Sequence, residues 1–89
     1  MQHSWDPDKE RRNVAKHGLD FTFAELVFAD PHLAIVFDRV EDGEERWHAV
    51  GRVGEHRVLV VVHTYPDPSN DEAVRIIGVR EAARGENPL

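Results

Sequence analysis

The sequence contains no cysteine, which excludes disulfide bonds and thiolate chemistry. It also lacks a long apolar run, since the longest aliphatic stretch, residues 58–62, is far shorter than the roughly 20 residues of a membrane-spanning helix. The first residues, MQHSWDPDK, include no apolar segment that would serve as a signal peptide. We therefore expect a cytoplasmic protein with no membrane partner.

Motifs for metal binding and for common cofactors are absent as well. No two of the six histidines lie four residues apart, and no cysteine could complete a zinc site. The sequence has no glycine-rich phosphate loop and no nucleophile elbow. We expect neither a metal nor a cofactor.

Basic residues are outnumbered, because 11 lysines and arginines face 17 acidic residues and the net charge is −6. This balance disfavours nonspecific binding to nucleic acid. The excess acid is concentrated in residues 25–43 and in the loop of residues 65–77. A cationic patch built from the first helix, the second strand and the chain end is compatible with this distribution.

Two helices are predicted near the N-terminus. Asp6 is a good N-cap, Pro7 suits the first helical position, and Gly18 follows a helix that ends at about His17. A second helix is predicted from a capping box of Thr22 and Glu25, with Phe21 and Leu26 as a hydrophobic staple. Asp30-Pro31 ends it after about two turns.

The remaining chain has the pattern of strands. Strands are predicted at Leu33–Arg39, Arg46–Val53, Arg57–Thr64 and Val74–Ile77, followed by a short C-terminal helix in VREAARGENPL. The third strand is apolar on both faces, which predicts a central position. We expect one α+β domain over residues 1–89, with a four-stranded, mainly antiparallel sheet.

Two groups of basic residues could bind an anion. Lys16-His17 either stabilises the negative end of the first helix, worth about 0.3–1 kcal/mol, or contacts an anion. Arg46, Arg52 and Arg75 lie on predicted strands and either keep an edge soluble or, beside Arg80 at the start of the predicted C-terminal helix, form a guanidinium cluster suited to phosphate.

Four segments together resemble the BrnT toxin family. These segments are WDPDKERRNVAKHGLDFTFAELVFADP, GEERWHAVG, VVVHT and VRIIGVREAARGE. The resemblance covers nearly the whole chain and implies a RelE-like fold. It also implies a metal-independent endoribonuclease toxin of a type II toxin–antitoxin pair. Its partners would be RNA and a ribbon-helix-helix antitoxin, with operator DNA contacted only through the antitoxin.

The resemblance also assigns roles to residues. Arg75 and Arg80 would stabilise the scissile phosphate, Arg46 would position the strand, and His63 would carry the proton, with Glu44 as a weaker alternative. Lys16, His17 and Tyr65 would contact RNA. His63 and Tyr65 are expected to reach the same face as the arginines.

The C-terminal segment departs from the family pattern and supports an alternative. Gly78 replaces the family's serine, Glu81 replaces a basic residue, and the tail lacks the further basic residues and tyrosine. The alternative is a catalytically weakened or inactive module that binds antitoxin and takes part in autoregulation of its operon. In either case, the acidic residues 25–43 would suit a basic antitoxin segment.

Overall fold

A five-stranded sheet covered by two helices forms the protein, as seen in a computed structural model that describes residues 2–55 and 57–86. In chain order the elements are β1 (Gln2–Trp5), α1 (Pro7–His17), α2 (Phe23–Phe28), β2 (Ala34–Glu41), β3 (Glu44–Val53), β4 (Arg57–Thr64) and β5 (Ala73–Glu81). The strands lie in the order β1-β5-β4-β3-β2. Neither helix in the described part of the chain has the length and apolar content needed to cross a bilayer.

Helix α1 begins and ends where its sequence predicts. The Asp6 side chain accepts a hydrogen bond from the backbone N–H of Asp8 at 2.9 Å, and Pro7 occupies the first turn. Gly18 adopts a left-handed conformation with φ of 72°, and its N–H donates to the carbonyl of Val14 at 2.8 Å. Both predicted boundaries of α1 are confirmed.

Helix α2 has the predicted location but a different N-terminal arrangement. The Thr22 side chain makes no capping bond to the helix. Instead, Asp20 accepts hydrogen bonds from both the backbone N–H and the hydroxyl of Thr22. The expected staple does not form, because Phe21 is fully buried while Leu26 is 51% exposed. The helix ends at Phe28, just before Asp30-Pro31 as predicted.

Strands β2 to β5 form the predicted antiparallel meander, with β4 at the centre of the sheet. The predicted fold class is nevertheless wrong in two respects. Residues Gln2–Trp5 add a fifth strand that pairs parallel to β5, so the sheet is mixed. This short segment, QHSW, has too few apolar residues for its sequence pattern to indicate a strand.

The predicted C-terminal helix is the second error. Strand β5 does not stop at Ile77 but continues to Glu81, which pairs with Leu59 of β4. The ladder extends further, because the N–H of Ala82 donates to the carbonyl of Val58 at 2.9 Å. Pairing with β4 therefore outweighs the local helix propensity of this segment. Residues 82–86 contain no helix, and residues 87–89 lie outside the described residues.

The core lies between the two helices and one face of the sheet. Its buried apolar side chains come from α2, from the link between α1 and α2, and from β3, β4 and β5. They are Leu19, Phe21, Ala24, Val27, Ala49, Leu59, Val61, Val74, Ile76 and Val79. Gly51 lets α2 approach β3 closely, because an added Cβ would lie 2.7 Å from the carbonyl oxygen of Val27. The opposite face of the sheet is not covered by either helix.

The side chain of Asn13 joins α1 to β5. Its Nδ2 donates to the carbonyl of Val79 at 2.8 Å, and its Oδ1 accepts from the N–H of Val79 at 3.1 Å. The same Nδ2 also donates to the carbonyl of Leu19 at 2.8 Å. The amide thus replaces a neighbouring strand at a point of β5 beyond the end of its pairing with β1.

We predict that Asn13→Ala lowers the free energy of unfolding by about 1–3 kcal/mol, because it leaves both backbone groups of Val79 without these partners. Arg11→Ala is the matched control on the same helix, since it removes only an exposed ion pair with Asp8 and should cost at most about 1 kcal/mol. Urea unfolding followed by circular dichroism measures both. Equal losses would contradict a special role for Asn13.

Candidate active site

Three arginines and one histidine lie on the sheet face opposite the helices. Trp47 of β3 pairs with His63 of β4, and the ring of His63 contacts Phe28 of α2, so both face the helices. Because strand side chains alternate, the neighbours of Trp47 in β3 point to the opposite face. We call this surface the arginine face and define it by Arg46, His48, Arg75 and Arg80.

Strand β5 adds two members to the arginine face. Arg75 pairs with Thr64, the neighbour of His63, and Arg80 pairs with Val60. A bulge at Ile77 shifts the alternation of β5 by one residue, so that Arg75 and Arg80, five residues apart, share one face. The structure thus brings together three of the predicted site residues, all of them arginines.

Each of these arginines is held by a carboxylate of the same chain. Arg46 Nη1 lies 2.7 Å from a carboxylate oxygen of Glu41, in the hairpin that joins β2 and β3. Arg75 Nη2 lies 2.5 Å from Glu44 at the start of β3. The predicted alternative proton carrier, Glu44, is therefore the ion-pair partner of Arg75. These contacts hold the guanidinium groups in place and oppose the binding of another anion.

Arg80 makes the most complete of the three pairs. Its two terminal nitrogens donate to the two oxygens of Glu86, at 2.6 and 2.8 Å. These bonds, together with one from the N–H of Ala83, lower the pKa of Glu86 to about 2. In turn, the Glu86 side chain raises the pKa of Arg80. The two carboxylate oxygens of Glu86 occupy the positions in which this guanidinium would bind two oxygens of a phosphate group.

His48 lies two residues after Arg46 on the same face of β3. The sequence pattern does not single it out as a site residue. Its Nε2 lies 3.4 Å from Asp38, and its Nδ1 lies 3.9 Å from Glu86. The side chain is only 20% exposed. His48 therefore stands beside the Arg80–Glu86 pair, with one ring nitrogen directed to a carboxylate that can fix its orientation.

Two buried polar atoms on the arginine face have no hydrogen-bond partner among the described residues. They are Nε of Arg46 and the hydroxyl oxygen of Thr64. A buried polar group without a partner costs roughly 1–3 kcal/mol. These atoms could therefore bond to a polar ligand lying on this face.

The predicted proton carrier His63 lies on the other face of the sheet and does not join the arginines. It is fully buried, with Nδ1 3.0 Å from the carbonyl of Val61 and Nε2 3.2 Å from the hydroxyl of Tyr65. A carbonyl can only accept, so Nδ1 carries the proton and Nε2 accepts from Tyr65. Burial lowers the pKa of His63 below 6.5, so the ring is a neutral core side chain.

Tyr65 is separated from the arginines as well. Its ring packs against Trp47 with 6.1 Å between centroids, and burial raises the pKa of its hydroxyl. It lines a depression that also contains four carboxylates: Glu44, Glu45, Asp67 and Asp71. This acidic depression is a poor place for RNA phosphate.

Lys16 and His17 lie at the exposed C-terminal end of α1. They line a shallow depression together with Ile77 of β5. Ile77 lies between Arg75 and Arg80 along β5. Lys16 and His17 are therefore next to the strand that carries these two arginines. The site residues of the sheet and of α1 therefore flank the same strand.

The fold and the arginine face define a small α+β protein that presents basic side chains on a sheet face left uncovered by its helices. Residues 5–86 match the family described as the ribonuclease toxin BrnT of type II toxin–antitoxin systems. Because this match spans nearly the whole sequence, the chain belongs to that family.

One solved structure supports the same assignment. The 1.1 Å crystal structure of the Brucella abortus ribonuclease toxin BrnT is similar, with a TM-score of 0.62 and 25% sequence identity. The similarity covers 94% of this chain and 100% of that one. No curated protein matches the chain.

We predict that the His63 ring loses its proton at a pH below 6.5 and keeps Nδ1 protonated when neutral. Since the unfolded chain takes up this proton first, acidification through pH 6.5 should destabilise the fold until His63 itself is protonated. Long-range nitrogen–proton NMR spectra across a pH titration report both properties. A ring that titrates at or above its ordinary value would contradict burial in the core.

Proposed function

We propose that this chain is an endoribonuclease that cleaves RNA without a metal ion and uses the arginine face as its active site. The carrying observation is that Arg46, Arg75, Arg80 and His48 share the sheet face opposite the helices. Fixed guanidinium groups supply the positive charge that stabilises a phosphate in its transition state. Membership of a type II toxin–antitoxin family implies an RNA substrate and an antitoxin partner.

In the proposed reaction, the ribose 2′-oxygen attacks the adjacent phosphorus while the bond to the 5′-oxygen breaks. His48 Nδ1 takes the proton from the 2′-hydroxyl, with Asp38 holding the ring through Nε2. The proton that His48 has taken up then passes to the leaving 5′-oxygen, which gives a 2′,3′-cyclic phosphate and a 5′-hydroxyl and returns His48 to its neutral form. Arg80 binds the charged phosphate oxygens after they replace the carboxylate of Glu86.

The reaction is tested with purified, antitoxin-free protein and a defined RNA in EDTA. Wild type should produce fragments, and Arg80→Ala should lower the cleavage rate by about 100- to 1,000-fold through loss of charge stabilisation. The matched control is Arg57→Ala, because Arg57 also pairs with a carboxylate of β5, Glu81, but on the helix-covered side beside Phe23. It should stay within about twofold of wild type.

The same assay distinguishes His48 from His63. His48→Gln should abolish most cleavage, whereas His63→Gln should act through stability alone and retain its rate per folded molecule. RNA left intact by folded wild type would overturn the proposal. So would equal losses in Arg80→Ala and Arg57→Ala.

A second function is favoured by one observation, namely that the chain's own carboxylates neutralise all three arginines of the arginine face. A module that has lost catalysis but still binds antitoxin would tolerate this neutralisation. Intact RNA from folded, antitoxin-free protein would support this module. Gly78, where the family has a serine, lies within β5, so this exchange does not remove a helix cap.

We propose that the antitoxin is of the ribbon-helix-helix kind, contacts operator DNA itself, and adds a basic extended segment to the outer edge of β2. Among the residues that the structure describes, strand β2 pairs only with β3, which leaves its other edge open to a partner. Its exposed apolar side chains are Ile35, Val36, Phe37 and Val40, at 42–59% exposure. Acidic Asp38, Glu41 and Asp42 lie among and after them, which favours a basic segment.

We predict that Val40→Lys weakens binding of the antitoxin encoded with this chain by about tenfold or more, because it puts a cation on an apolar, acid-rich edge. Val14→Lys makes the same change at an exposed valine of α1 and should leave affinity unchanged. Surface plasmon resonance measures both. Unchanged binding by Val40→Lys would place the antitoxin elsewhere.

A further inference from the structure

Helix α1 presents a row of cations on one side. Lys9, Arg12 and Lys16 lie three and four residues apart, so they follow one face of the helix, and His17 extends the row at its end. We call these four residues the α1 cation stripe. None of them forms an ion pair with a carboxylate in the part of the chain that the structure describes.

The stripe lacks carboxylate partners among the described residues although the chain has a net charge of −6. The three arginines of the arginine face are all paired, and so is Arg11, which contacts Asp8 next to the stripe. Lys9, Arg12 and Lys16 repel one another along this helix face. Arg12 and Lys16 are exposed and have no carboxylate partner among the described residues, so this surface is suited to a polyanion.

The helix dipole accounts for only part of the stripe. Cations in the last turn, such as Lys16 and His17, are favoured by the negative end of the helix. Lys9 lies in the first turn, at the positive end, where a cation is disfavoured. Capping therefore explains the end of the stripe but not its beginning.

The stripe is also fixed beside the arginine face. Lys9, Arg12, Lys16 and His17 line one shallow depression with Asn13 and Ile77. Asn13 binds both backbone groups of Val79, so the helix cannot shift along β5. Ile77 lies between Arg75 and Arg80 on the same strand. From Lys9 to Lys16 the stripe extends about 10 Å, long enough for more than one phosphate of a strand.

We propose that the α1 cation stripe binds the RNA backbone on one side of the scissile bond and thereby positions the strand on the arginine face. This proposal rests on the proposed ribonuclease function. The stripe contacts phosphates, so it adds affinity without base preference. Its residues position the substrate and do not take part in the bond changes.

The test uses a fluorescent RNA in which every ribose is 2′-O-methylated, so that the 2′-oxygen cannot attack. Arg12→Glu and Lys16→Glu should each weaken binding about tenfold at low salt and lower the slope of log affinity against log salt by about 0.7 per lost phosphate contact. Arg11→Glu is the matched control, with the same charge change one residue away and outside the stripe. It should weaken binding much less.

Cleavage of unmodified RNA supplies the second readout. Arg12→Glu should raise KM about tenfold while kcat stays within about twofold, because the stripe acts on binding. By contrast, Arg80→Ala should lower kcat. Circular dichroism confirms that the variants fold, which is expected because Arg12 and Lys16 are exposed.

The outcomes separate the two proposals. If wild type cleaves RNA but Arg11→Glu and Arg12→Glu bind equally, the stripe is overturned and the ribonuclease stands. If wild type leaves RNA intact but Arg12→Glu weakens binding relative to Arg11→Glu, the reaction is overturned and the phosphate-binding stripe stands. If wild type prefers one base sequence and Arg12→Glu loses that preference, the role of Arg12 as a phosphate contact is overturned.

Discussion

The bond between the Asn13 amide and the backbone of Val79 fixes the relation between helix α1 and the sheet. Strand β1 is only four residues long and pairs with β5 from Ala73 to Ile76. Beyond that point, the edge of β5 would lose a partner if α1 did not supply one. A single amide therefore both closes an open strand edge and places the cations of α1 beside the arginines of β5.

Carboxylates of the same chain hold the guanidinium groups of the arginine face in place and occupy their anion-binding positions. Glu41, Glu44 and Glu86 each hold one arginine, and two of them lie in or beside the hairpin between β2 and β3. These pairs are partly exposed, so each contributes little to stability and can be exchanged for another anion. A phosphate that replaces them meets guanidinium groups already in position, which is the condition for effective charge stabilisation.

Local signals in the sequence predicted much of the fold but little of the site. Asp6, Pro7 and Gly18 mark the ends of α1 through short-range bonds, and an apolar run marks the central β4. Glu81 could not be assigned to a strand in this way, because its partner Leu59 is distant in sequence. The face reached by His63 depends on the register of Trp47 with His63, and register is a property of the assembled sheet.

The two edges of the sheet have different chemical character, and this difference bears on how a partner could silence the protein. Strand β2 is apolar and followed by acids, whereas α1 at the other edge carries unpaired cations in the described residues. A basic antitoxin segment docked on β2 leaves the α1 cation stripe free. Silencing then requires contact with the arginine face itself. The hairpin would provide that contact, because Glu41 pairs with Arg46 at the end of β2. Binding at this edge would then act directly on the proposed active site.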